Sequence, residues 1–185
     1  MNRSLVHLGR VAAAGAAVSL IACSGAVTPT QRTESTYIPG AGVMSVTGEN
    51  GTVAVTMGAP LQAVWRVLPT AFDSVGIALT LIDPKKHLMA NEGFKVRLKL
   101  RNERLSTYFE CGTTQVGPNA DSYELFMRVD SFLEPLKGDS TRTRMTVSVT
   151  AQAKPLQFSQ DYSRCTSKTM LERRMLDVVA NALRK

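Results

Sequence analysis

The sequence predicts an α+β protein: an antiparallel sheet of about five to six strands packed by an N-terminal and a C-terminal helix. Two observations predict it. Apolar residues recur at helical spacing in two segments, from Pro60 to Gly76 and from Thr166 towards the C-terminus. Between them, several segments alternate apolar and polar residues so that one face alone is apolar, the mark of half-buried antiparallel strands. The 185 residues, 44% hydrophobic and 20% charged, suffice for one domain with a real core and exclude a large multidomain enzyme. No uncharged apolar run approaches the roughly 20 residues of a spanning helix, so an integral membrane protein is not expected.

The first 22 residues carry Arg3 and Arg10, no acid, and an uncharged apolar stretch from Val11 to Ala22. Such a charged start followed by a short apolar stretch reads as a secretory signal. It ends in Leu20-Ile21-Ala22-Cys23, which resembles the lipobox of bacterial lipoproteins. The resemblance implies cleavage before Cys23, two acyl chains on its sulfur and commonly a third on the new amino group. Several chains hold a protein on a bilayer where one is marginal, at about 0.8 kcal/mol per buried methylene. Ser24 follows where an Asp would imply inner-membrane retention, so the resemblance points to the outer membrane, with the domain in the periplasm. The rival reading makes Cys23 a small residue inside an ordinary signal. Ser24 to Gly42 is rich in Ser, Thr, Gly and Pro and reads as a flexible tether, with an r.m.s. reach of about 25 Å. Residues 23–42 are thus lipidated cysteine and tether, and a single domain is expected over 43–185.

Within the domain, Val43 to Met57 alternates around Glu49-Asn50-Gly51, a hairpin signal. From Pro60 the period changes: Leu61, Val64, Trp65, Leu68, Phe72 and Val75 share a helical face that ends at Gly76. Pro69 lies inside this helix and is expected to kink or split it, at a cost of up to about 3 kcal/mol. Ile77 to Ile82, the Asp83-Pro84 turn and His87 to Ala90 read as a second hairpin. Residues 94–101 alternate as one strand, and 104–110 continue extended to Cys111; 112–122 read as a loop. Tyr123, Leu125, Met127 and Val129 share one face of a strand, as do Met145, Val147, Val149, Ala151 and Ala153 of the next. Which face of the first points inward is open, because Phe126 and Phe132 lie on its other side. Thr166 and Ser167 are N-cap candidates for a final helix carrying Met170, Leu171, Met175, Val178, Val179 and Ala182.

With Cys23 used for lipid, Cys111 and Cys165 remain as an even pair in an exported chain, and they read as a disulfide, against two buried free thiols. Val64-Trp65, then Val75-Gly76-Ile77, then a hairpin make the stretch from Thr56 to about Glu92 similar to the repeating unit of the BamC lipoprotein family. That resemblance implies a helix-grip fold and an envelope setting. This chain has one such unit where the family has two, and it lacks the family's partner-binding N-terminal stretch.

Catalytic chemistry finds little support. His7 leaves with the signal, and His87 sits beside Lys85 and Lys86 in a turn with no serine elbow nearby. No metal-ligand spacing or phosphate-binding loop is present, and Glu124 and Asp130 stand about 20 Å apart along a strand. No catalytic or metal-binding residue is assigned, and no cofactor is expected beyond covalent lipid on Cys23. The net charge of +7 falls to about +5 once Arg3 and Arg10 are removed, so the basic excess belongs to the exported part. Lys95, Arg97, Lys99 and Arg101 alternate with apolar residues, so in a strand all four cations point one way about 7 Å apart. They form either a patch for anionic partners, such as lipid headgroups, or a solvated sheet face. Nucleic acid is not expected as a partner, since no aromatics interleave the stripe. The expected function is a non-catalytic interaction or assembly module on the envelope, its partner an envelope protein or anionic lipid. The alternative is a carrier of an apolar or anionic lipid-like ligand.

Overall fold

A computed structural model describes the backbone of strands 33–38 and 42–47, and residues 51–156 and 162–184 in full. The expected signal segment and Cys23 lie outside the described residues, as does most of the expected tether. In chain order the elements are β1 (Thr33–Ile38), β2 (Gly42–Thr47), β3 (Thr52–Met57), α1 (Leu61–Val75), β4 (Leu81–Asp83) and β5 (Leu88–Arg97). There follow β6 (Lys99–Leu100), β7 (Glu103–Arg104), a 3-10 turn at Leu105–Thr107, β8 (Phe109–Glu110), β9 (Thr113–Thr114), β10 (Gly117–Pro118) and α2 (Asn119–Ser122). The chain closes with β11 (Glu124–Leu136), β12 (Asp139–Lys154), β13 (Ser163–Ser167) and α3 (Met170–Ala182). Among the described residues no helix is long and apolar enough to cross a membrane.

The main sheet is antiparallel, ordered β1-β2-β3-β12-β11-β5-β4, as the α+β reading expects. β12 is its axis. One edge pairs with β11 along nearly its whole length; the other pairs first with β3, over Thr143 to Ser148, and then with β13, over Ala151 to Ala153. Between these two partners the Val149 N–H donates to the Gly51 carbonyl at 2.9 Å. β8 pairs in turn with β13, and the Cys111–Cys165 disulfide lies beside that ladder, with both cysteines buried.

The helices cover one face. Leu125, Met127, Val129 and Leu133 of β11, with Met145, Val147 and Val149 of β12, meet Val64, Leu68, Phe72 and Val75 of α1 and Leu171, Met175 and Val179 of α3. All are buried, which settles the inward face of β11: Phe126 and Phe132 point the other way. α1 forms where the 3.6-residue stripe predicts. Its carboxyl end is closed by a Schellman arrangement, with Gly76 left-handed at φ 75°, its N–H donating to Asp73 and that of Ile77 to Phe72. Pro69 does not split the helix. Val64 and Leu68 before it and Ala71, Phe72 and Val75 after it are buried on one continuous stripe, and that burial offsets the missing hydrogen bond.

Five expectations need correction, the first being the extended run over 104–110, which is interrupted by the 3-10 turn at Leu105–Thr107. β1 lies within the stretch read as tether, so paired strand is already present at Thr33–Ile38, before Val43. A strand paired at a sheet edge is held by main-chain hydrogen bonds and needs no apolar period. The strand expected over 94–101 stops at Arg97, because Leu98 and Arg101 adopt left-handed φ of 64° and 52° and fold the chain into the small β6–β7 hairpin. The loop expected over 112–122 contains the β9–β10 hairpin and α2. Thr166 and Ser167 belong to β13, and the residue capping α3 is Thr169, with no side-chain cap of its own.

Candidate functional site: the open face of the sheet

The face without helices carries a groove of about 950 Å³ over β11, β12 and β13. Its floor alternates with the core by the period-two rule: each inward Leu, Met or Val of β11 and β12 has outward neighbours such as Phe126, Arg128, Ser148, Thr150 and Gln152. Register builds rows across the strands. One row runs Lys95, Phe126, Gln152, Arg164 over β5, β11, β12 and β13. Another places Glu124 between Arg97 and Lys154.

The first row is joined by Tyr162, just before β13. Phe126 and Tyr162 pack edge to face with centroids 4.9 Å apart. Lys95 Nζ lies 4.8 Å above the Phe126 ring, and Lys154 Nζ 5.1 Å from the Tyr162 ring, so an aromatic pair is flanked by two ammonium groups. Lys95, Arg97, Lys154 and Arg164 form no ion pair with another described residue. One row along, the charges are mutually satisfied. Arg128 Nε donates to Asp130 at 2.8 Å and its Nη2 lies 3.4 Å from Glu92, at the bulge where Glu92 and Gly93 face Arg128. The Asp130 carboxylate, by hydrogen bond and charge, holds the Arg128 guanidinium above its ordinary pKa.

The predicted stripe therefore divides. Lys95 and Arg97 stand on the open face; Lys99 sits in β6, beyond the break at Leu98. Arg101 is not on that face. Its guanidinium donates to the Asp73 carbonyl at the end of α1, and its side chain covers Gly76, where a Cβ would meet it at 3.3 Å. It closes a helix. The partners that complete the cluster, Lys154 and Arg164 in strands and Tyr162 just before β13, lie some 60 residues away in sequence, and the register of β12 and β13 brings them to Lys95 and Phe126. Glu124 and Asp130 share this face but stand in different rows. His87, in the β4–β5 turn, packs edge to face on Trp65 with centroids 6.3 Å apart.

Behind the groove lies a group that the sequence reading did not single out. Glu172 of α3 is fully buried; Ser167, which lines the groove, donates to its Oε1 at 2.6 Å, while Oε2 has no partner. Burial pushes its pKa up to about 7, against the lowering pull of the Ser167 hydroxyl, its own backbone N–H and the Arg173 charge. The Gly51 turn presses on the same spot: a Cβ there would lie 2.6 Å from both Glu172 Oε1 and the Val149 carbonyl.

No model of a known protein family matches the chain, and no curated protein matches it.

Proposed function

We propose that this is a lipid-anchored protein of the bacterial envelope, acylated at Cys23 and held at the outer membrane with its domain in the periplasm, which acts without catalysis as an interaction or assembly module. The lipobox supports the anchor, and the Cys111–Cys165 disulfide suits an oxidising compartment. The observation that carries the binding role is the open-face groove, where Phe126, Arg128, Thr150, Gln152 and Arg164 offer an aromatic ring, amide and hydroxyl groups and cations across adjacent strands. Such a mixture suits a polar, anionic partner. A carrier of a lipid-like ligand is the second reading, favoured by the volume of the same groove. The layer between sheet and helices is filled by Leu68, Phe72, Met127, Met145 and Met175, so cargo would have to lie on the open face.

A photo-crosslinking side chain at Thr150, in the lipidated protein within its own membrane, tests the proposal. A discrete envelope protein captured there, and lost in Arg128→Ala, is the expected result. Lipid adducts alone would favour the carrier, and no adduct of either kind would remove the groove as the working surface. The anchor is tested separately by Cys23→Ser, which should make the protein extractable from the membrane fraction by high salt, whereas the acylated protein should stay.

A further inference from the structure

Three large apolar side chains stand exposed at one end of the sheet: Leu98 is 60% accessible, Leu156 49% and Tyr162 42%. Each adjoins a cation. Leu98 follows Arg97 at the end of β5; Leu156 lies two residues past Lys154 at the end of β12; Tyr162 stands against Lys154 and two residues before Arg164 in β13. Register places Arg97, Glu124 and Lys154 side by side, so these residues belong to one edge of the molecule. A solvated strand end would carry charges without exposed leucines. Apolar and aromatic tips set among lysines and arginines match a bilayer interface, where the rings and leucines enter at headgroup level and the cations meet phosphates.

The topology places the chain's entry on the same side. Thr33 pairs with Thr47, Thr47 with Thr52, and Thr52 with Ser148, six residues along β12 from Lys154. β1 therefore begins on the side of the sheet that faces the Lys154 end and runs away from it. Lys154 lies about 20 Å beyond that row along β12. Cys23 is ten residues before Thr33, and ten residues span at most about 36 Å whatever their conformation. A connection of that length is enough for an anchor at Cys23 to reach the plane of the cluster.

We propose that this end of the sheet is the membrane-facing surface: Arg97, Lys154 and Arg164 rest on the phosphates of anionic phospholipid while Leu98, Leu156 and Tyr162 enter the interface between them. The inference rests on the lipid-anchor reading for its orientation, but the surface has its own affinity for anionic headgroups. Each cation near such a surface is worth about a fivefold change in occupancy, and the attraction is screened by salt.

The test uses the full protein as isolated from membranes, with Trp65→Phe and a single reporter at Leu156→Trp, reconstituted into phosphatidylcholine vesicles with or without phosphatidylglycerol. Ile82→Trp, an exposed apolar position on the edge strand β4, is the control, since its partner Met89 lies eight residues along β5 from Arg97. Brominated lipid should quench the tryptophan at 156 but not that at 82, only when phosphatidylglycerol is present. The triple change Arg97→Gln, Lys154→Gln, Arg164→Gln should abolish that quenching by reducing occupancy about a hundredfold. Leu98→Trp serves as the reporter if the variant at 156 does not fold. Equal quenching at both positions, or none at 156 and 98, overturns the proposal. So does protection of the cluster by an acidic protein without lipid contact. Mass measurement of the Cys23 peptide decides the anchor independently. Without acylation the anchor reading falls, while the same vesicles, offered to the unanchored protein, still decide whether this surface binds.

Discussion

The Ser167 hydroxyl donates to Glu172 Oε1 at 2.6 Å and accepts from the Thr169 N–H at 3.0 Å, tying the last strand, the helix start and a buried carboxyl into one joint. Thr169, left-handed, makes no side-chain cap bond of its own, and Ser167 holds the N–H of Thr169 from two residues upstream.

Because burial raises the Glu172 pKa from 4.5 to about 7, the folded protein holds this proton where the unfolded chain has lost it. Stability is therefore highest below about pH 4.5 as far as this group is concerned, and falls by about 3 kcal/mol as pH rises to about 7. Urea unfolding across that window should show the decline. Glu172→Gln, which stays neutral, should flatten it and exceed the wild type above neutrality.

Gly51 turns at φ 64° between β2 and β3 with the Val149 carbonyl and Glu172 directly above it. Gly51→Ala should cost about 2 kcal/mol or more, from both left-handed strain and lack of room. Gly58, with open space around it and no positive φ, is the control, and Gly58→Ala should change the unfolding midpoint little.

The Cys111–Cys165 bridge closes a loop with a sequence separation of 54. Reduction, or paired replacement by Ala, should destabilise the protein by about 4 kcal/mol in the chain-entropy account. Thiol labelling before and after reductant checks that both cysteines are bonded, and two reactive thiols in the unreduced protein would refute the bridge.

The two faces of the sheet should respond differently to the same truncation. Phe72→Ala, beneath the helices and fully buried, should cost about 3 to 5 kcal/mol. Phe132→Ala, on the open face and 37% accessible, should cost about 1 to 2 kcal/mol by its smaller burial. Denaturant midpoints at constant slope would give both values.

The two helices and the inward faces of β11 and β12 were legible because their patterns are long and regular, so Leu68 and Phe72 or Met145 and Val147 announce their side. The rest had no comparable signal. β1 is held by backbone pairing, which leaves no apolar period in Thr33 to Ile38. Leu98 and Arg101 take left-handed backbone without being glycine, so nothing in the alternation of 94–101 marks the break that sends Arg101 to the end of α1. The cluster of Lys95, Phe126, Lys154, Tyr162 and Arg164 is a product of register across four strands, and a linear reading sees its members only as scattered charges and rings.

The double use of one edge of β12 has a kinetic consequence. The β11–β12 hairpin is local, turning at Gly138, and can form as soon as its own residues are available. The other pairings reach far: Val53 waits for Val147, and Phe109 for Ser167. A chain synthesised only as far as Asp139 has nowhere to dock its first hairpin. Folding should consequently be slow and all-or-none for its size, as expected for high contact order, leaving the β3 pairing unmade until about four fifths of the chain has been synthesised.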